Sequence, residues 1–425
     1  MLQRKPREIA FRVLLDREAG RGYVEDLLDA ALAAHRLPAV DRGLVQELAF
    51  GAVRWQATLD WLIARKTGSR RQTPPVQILL RLGLYQLFWL DRVPDHAAVN
   101  ETVSLAAPGE SGFVNAILRG FARERAATRA MLDRLKTEEP AIGWSHPGWL
   151  VDRWSARWGV ARTARLLEWN NSPPRTFARL NTLMVEPTKL VERWRTEDVI
   201  YDFGRWDWIP ENLVFELKSH PPLGSLASFR QGWFYLQDPS TLLAPRMLDS
   251  QPHDRVLDLC AAPGGKTTLI AQMLENDVSL VAVEPSAARR ERLSENCERL
   301  CADCTVVASV EDAPLREFDR ILVDAPCSNT GVVRRRLDLR WRLRPEEITR
   351  LSRTQLALLE KAAPLLRPGG TLAYSTCSLE PEENRGVVDA FIVAHPDFSR
   401  VIERELFPPD EKADGAYVAV LRKAD

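Results

Sequence analysis

Apolar residues recur three and four positions apart through the first part of the chain: Ile9, Ala10, Val13 and Leu14, then Leu44, Leu48 and Val53, then Leu79, Leu82 and Leu87. That period is the repeat of helices burying one face. Breaks at Gly20-Arg21-Gly22, Thr73-Pro74-Pro75 and Pro108-Gly109 cut Pro6 to about Arg125 into successive helices. No paired carboxylates, metal-spaced histidines or phosphate-cradling loop occur here, so residues 1–125 read as an all-helical binding or packing domain.

The pattern changes between about 126 and 235. Trp144, Trp149, Trp154, Trp158 and Trp169 accompany short helical patterns that stop at Asn170-Asn171-Ser172-Pro173-Pro174. Alternating stretches follow, Thr176 to Leu180 and Asn212 to Leu217, which predict strands in a small α+β subdomain. Tryptophans interleaved with arginines either stack on unpaired bases or pack a core, and core packing is the commoner use. From 236 to 425 strand and helix alternate as in a doubly wound α/β sheet. The expected strands are Arg255 to Leu259, Ser279 to Val283, Thr305 to Ala308, Arg320 to Val323 and Thr371 to Ser375. Helices are expected over Ser286 to Cys301 and Pro345 to Leu366.

Composition agrees with a multidomain protein: 425 residues, 45% hydrophobic and 27% charged, have enough apolar material for several cores. Lysine plus arginine equals aspartate plus glutamate at 58 each, so any contact with phosphates falls to local clusters such as Arg334-Arg335-Arg336 and Arg340 to Arg344. Six scattered cysteines point to reduced thiols rather than a disulfide framework. Met1 to Ala10 carries charge instead of an apolar leader, and Val76 to Leu90 is too short and too polar to span a bilayer. A monomeric cytoplasmic protein without membrane or metal partners is the expectation.

Two places carry chemistry. The first strand of the α/β region runs into Cys260-Ala261-Ala262-Pro263-Gly264-Gly265-Lys266 and then a helix, while the next strand ends at Glu284. Paired glycines let backbone approach a ligand, a helix N-terminus receives a carboxylate, and an acid after the second strand accepts from ribose hydroxyls. The loop is neither a Walker loop nor a GxGxxG fingerprint, and it suits S-adenosyl-L-methionine. Two further strands end in Asp324-Ala325-Pro326-Cys327-Ser328 and Thr376-Cys377-Ser378. Carboxyl ends of neighbouring strands border the ligand crevice, which would bring both cysteines to the mouth that holds the cofactor.

These motifs together resemble the RNA cytosine-5 methyltransferases. The resemblance implies that Cys377, of the Thr-Cys motif, is the nucleophile, that Cys327 assists product release, and that Asp324 hydrogen-bonds the target ring. It also implies cofactor binding by Cys260, Ala261, Ala262, Pro263, Gly264, Gly265, Lys266, Glu284 and Asp324. Upstream, Leu84 to Leu87, Pro94 to Val103 and Gly112 to Arg119 are similar to the helical domain of the antitermination factor NusB. The fusion resembles bacterial small-subunit ribosomal RNA methyltransferases, which implies 16S ribosomal RNA as partner and substrate. Transfer RNA or 23S ribosomal RNA as substrate, and a non-catalytic RNA-binding or antitermination factor, are the alternatives.

Two positions depart from the family pattern. Ser309, or Asp312 after a shift, stands where an aspartate is usual at the adenine end, and Asn329 stands where a small residue is usual. Cys297, Cys301 and Cys304 have the CxxxCxxC spacing of iron–sulfur ligands. Placed at the end of an amphipathic helix, they read instead as one buried face with Leu293 and Leu300.

Overall fold

The computed structural model describes residues 5–425. They form two compact units: the chain up to Ser172 with Val333–Arg342, and Pro173–Val332 with Leu343–Asp425.

The first unit is helical. Proline opens Pro6–Glu18 and Pro74–Trp89, where the missing N–H costs no hydrogen bond. Pro74–Trp89 is buried from Ile78 to Phe88, which explains why its sequence is apolar on nearly every face. Ala39–Arg54 crosses it closely because Gly51 carries no side chain: a Cβ there would lie 2.0 Å from the Tyr85 ring. The helix Gly148–Asn171, broken at Gly159, also belongs to this unit. Residues 126–172 belong to the same compact unit as the N-terminal helices.

Val333–Arg342, although far along the chain, is built into the same helical unit. Leu337 joins its apolar core. Asp338 accepts from Arg17 Nε at 2.8 Å and from the backbone N–H of Val24 at 3.0 Å. Arg340 donates to the carbonyls of Ser145 (3.0 Å), Asn170 (3.0 Å) and Arg54 (3.3 Å) and to Asn171 Oδ1 (2.8 Å). Arg334 and Arg340 are therefore buried, not displayed to phosphates as their clustering suggested. A guanidinium has five fixed donors, enough to serve several inward-facing acceptors.

The second unit holds two sheets. The smaller comprises β1 (Thr176–Leu180), β2 (Ile200–Phe203), β3 (Val214–Ser219) and β4 (Phe234–Leu236), antiparallel in the order β2-β3-β1-β4. Trp194, Phe215 and Phe234 meet in its core with ring centroids 5.2 and 5.3 Å from Trp194. Trp154 is likewise buried within the first unit. Trp144, Trp149, Trp158 and Trp169 are only partly buried.

The larger sheet contains β5 (Arg255–Leu259), β6 (Ser279–Val283), β7 (Thr305–Val307), β8 (Phe318–Asp324), β9 (Leu366–Thr376), β10 (Phe398–Leu406) and β11 (Ala416–Lys423), in the order β10-β11-β9-β8-β5-β6-β7. Strands β5 to β9 pair in parallel, and β10 and β11 extend the sheet antiparallel. The parallel strands are near-continuous apolar runs because helices cover both faces. Chain direction changes sides between β5 and its neighbour β8, the switch point at which open α/β sheets bind ligands. Among the described residues no helix is long and apolar enough to cross a membrane.

Candidate active site

Every site residue anticipated from sequence lies at the carboxyl edge of this sheet. Following β5, Cys260 adopts φ 62° and Gly264 φ 102°, and Gly264 caps the helix Gly265–Met273. The left-handed φ favours glycine at 264, where a Cβ would also displace the end of the Leu293 side chain, 2.8 Å away. The smaller sheet braces this turn: Arg179 of β1 donates to Gly265 O and Thr268 Oγ1, each at 2.9 Å.

Glu284 follows β6 and is buried. Its Oε1 accepts from Ser286 N at 2.9 Å, while Oε2 has no hydrogen-bond partner, with Arg289 Nη2 3.3 Å away. An acceptor buried without a donor is costly unless a ligand supplies one. The buried acid at the end of β6 and the helix N-terminus at Gly265 fit an adenosyl cofactor carrying a carboxylate. Beyond β7, Ser309 donates to Asp312 Oδ2 at 2.9 Å, so the two residues considered for the adenine end stand together.

Asp324 ends β8. Its Oδ2 is 2.6 Å from Lys266 Nζ, and its Oδ1 accepts from Ser375 Oγ at 2.7 Å. Burial opposes the lysine's charge, but Asp324 outweighs it and the Lys266 pKa is raised. Beneath the turn, burial lifts Asp258 to about 7, although Thr267 donates to it at 2.6 Å. Burial, with Asp324 nearby, pushes the Cys260 thiol up to about 12, which marks it as a wall of the site rather than a nucleophile.

The two motif cysteines meet: Cys327 Sγ and Cys377 Sγ are 3.3 Å apart. Cys327 is buried, and the adjacent Cys377 sulfur together with burial drives its pKa well above the ordinary thiol value. Cys377 is partly exposed and donates its S–H to Asn329 Oδ1 at 3.1 Å. The Asn329 amide cannot be turned over, because its Nδ2 donates to the Cys327 carbonyl at 2.7 Å and a carbonyl only accepts.

Sequence reasoning did not single out Ser375, nor the buried group behind the cysteines comprising Ser328, Ser378, Glu383 and Gln355. The serine following each cysteine was the available signal. The other cysteine cluster is arranged differently from expectation. The helix Ala287–Arg299 ends before Cys301, which is exposed at φ 54°, so the three do not share a helical face. Cys297 and Cys304 instead meet with sulfurs 3.2 Å apart.

Comparison with known proteins bears on these features. Residues 245–422 match the family described as 16S rRNA methyltransferase RsmB/F, residues 4–123 the NusB family, and residues 146–216 the ferredoxin-like domain of RsmF/B-like methyltransferases. The probable ribosomal RNA small subunit methyltransferase B of Bacillus subtilis is 33% identical over 95% of this chain and 92% of its own. The probable ribosomal RNA small subunit methyltransferase B of Synechocystis is also 33% identical, over 98% and 99%. The crystal structure of PH0851 shares the fold, with TM-score 0.78 and 23% identity over 99% of this chain and 100% of that one. With likeness running along nearly the whole of both chains, this protein belongs to the RsmB/F family of S-adenosylmethionine-dependent 16S ribosomal RNA methyltransferases and carries a NusB-family helical domain.

Proposed function

We propose that this protein methylates carbon 5 of a cytosine in 16S ribosomal RNA through a covalent bond between Cys377 and the base. The observation that carries this reading is the thiol pair, 3.3 Å apart just beyond the carboxyl ends of neighbouring parallel strands, near Asp324. S-adenosylmethionine, when bound, supplies an electrophilic methyl group. The N-terminus of Gly265–Met273 would hold its carboxylate and Glu284 its ribose.

Carbon 5 of cytosine is a weak nucleophile, and the protein's task is to activate it. Cys377 gives up its thiol proton to solvent, and its Sγ adds as thiolate to carbon 6, which makes carbon 5 enamine-like and able to take the methyl group. The carbon 5 proton then passes to a base, the carbon–sulfur bond breaks, and Cys377 leaves with its electron pair. Asp324, oriented by Lys266 and Ser375, acts in its protonated form, donating to the ring nitrogen of the target as thiolate addition makes that nitrogen basic. Cys327, whose burial and neighbour keep it protonated, stands beside the departing sulfur and assists release. The base reaches this edge only when unstacked, from a single-stranded or flipped position. A monomer working in the cytoplasm completes the reading.

Incubation with labelled S-adenosylmethionine and unmodified ribosomal and transfer RNAs tests it. Label is expected on cytosine carbon 5 of small-subunit RNA and is abolished by Cys377→Ala, while Cys327→Ala accumulates protein covalently bound to RNA. Label confined to transfer RNA or 23S RNA would overturn the substrate. Cofactor binding without transfer to any RNA would leave a binding factor on a methyltransferase fold.

A further inference from the structure

The β8–β9 ladder ends at Asp324 and Ser375, before either catalytic cysteine. What holds Cys327 against Cys377 must lie beyond it. Each cysteine precedes a serine, and both serines turn to one buried carboxylate. Glu383 accepts from the Ser328 N–H at 2.8 Å, from the Ser328 hydroxyl, from the Ser378 hydroxyl at 2.5 Å and from Gln355 Nε2 at 3.0 Å. The two serine oxygens are 3.1 Å apart. Gln355 also donates to Pro326 O at 3.0 Å, just before Cys327. On the other side, Tyr374 of β9 donates to the Glu383 carbonyl at 2.5 Å, and Asn384 Nδ2 to the Ser378 carbonyl at 2.9 Å. Four donors on two oxygens is the full capacity of a carboxylate. An amide in its place would offer a single accepting oxygen and two N–H groups facing donors.

We propose that Glu383 is a positioning residue: by holding Ser328 and Ser378 together it sets the separation of the Cys327 and Cys377 thiols. Its consequence for turnover rests on the methyl-transfer reading above, whereas its consequence for thiol geometry does not. The test exploits this difference in the full-length protein. Hydrogen peroxide oxidises one thiol to a sulfenic acid with release of water; the neighbouring thiol attacks it, forming the disulfide and releasing a second water. Cys297 and Cys304, 3.2 Å apart and without a bond to Glu383, serve as an internal standard in the same molecule.

Peptide mapping after timed peroxide exposure should show Glu383→Gln slowing the Cys327–Cys377 disulfide by about fivefold or more, because ångström-scale misplacement has large effects on reaction rate. The Cys297–Cys304 rate should stay within about twofold of wild type, and Glu383→Asp, which keeps the charge at shorter reach, should recover part of the loss. Ser378→Ala removes one donor without touching the carboxylate and should slow the same disulfide. In turnover, kcat for Glu383→Gln should fall about tenfold with RNA KM within about twofold. Equal slowing of both cysteine pairs would mean general loosening and overturn the proposal. So would an unchanged Cys327–Cys377 rate in the Gln and Ala variants. A wild-type protein that methylates no RNA would sink the proposed function alone, with the disulfide comparison still deciding the role of Glu383.

Discussion

At the scale of single residues, burial raises the pKa of acids and thiols around the site. Asp258, buried under the cofactor turn, has its pKa raised by burial from 3.8 to about 7. The folded protein thus binds that proton more tightly than the unfolded chain. The stability this confers is complete below about pH 4 and is lost as pH climbs through about 7. Asp258→Asn keeps an acceptor for Thr267 and removes the titration. Compared by denaturant unfolding without cofactor, the variant should gain on wild type by about 1–3 kcal/mol between about pH 5 and 8.5. A stability difference independent of pH would show that the carboxyl is already ionised at the lower value.

At the scale of elements, close approach outweighs local preference. Alanine has the higher helix propensity, by about 1 kcal/mol over glycine. Yet at Gly51, inside Ala39–Arg54, a Cβ would overlap the Tyr85 ring. That ring is held by its hydrogen bond to Glu47 and lies 5.8 Å from Trp89 in a stacked pair, so it has little room to yield. Gly51→Ala should therefore destabilise the helical unit by about 1–3 kcal/mol, read as a lowered thermal midpoint. A raised midpoint would show that Tyr85 moves aside.

The same balance explains what the sequence made legible. Strands β5 and β6 were readable to the residue, because a parallel strand covered on both faces is an uninterrupted apolar run. Strand β10 was not: Arg400, Glu403, Arg404 and Glu405 mark a partly exposed edge. Strand β11 is buried from Ala416 to Leu421 and offers no alternation to separate it from a buried helix. At the site, motif residues were legible because cysteine, aspartate and glycine at strand ends point to chemistry. Glu383 was not, since it lies in a polar run, Glu380 to Asn384, that looks solvated until the fold buries it.

At the scale of the molecule, the chain leaves its second unit after Val332, contributes ten residues to the helical unit and returns at Leu343. Sequence order alone hides this, and it changes what Arg340 is for. Its guanidinium is fully buried among the carbonyls of Arg54, Ser145 and Asn170 and the Asn171 amide oxygen, gathering the ends of helices far apart in sequence. Removing a buried donor leaves its acceptors desolvated and unpaired, at a cost of about 1–3 kcal/mol each. Arg340→Met fills similar volume without a donor, so the loss it causes is electrostatic and not a cavity. Stability is distributed unevenly over such a molecule, and the cost should appear where the acceptors are. Hydrogen exchange in the full-length variant should accelerate near the C-terminal ends of Ala39–Arg54 and Gly148–Asn171 while β5 and β6 keep wild-type protection. Acceleration spread evenly over both units would mean that they unfold together and that Arg340 does not support the helical unit locally. Unchanged exchange in both helices would mean that the hydrogen bonds of Arg340 do not support the helical unit.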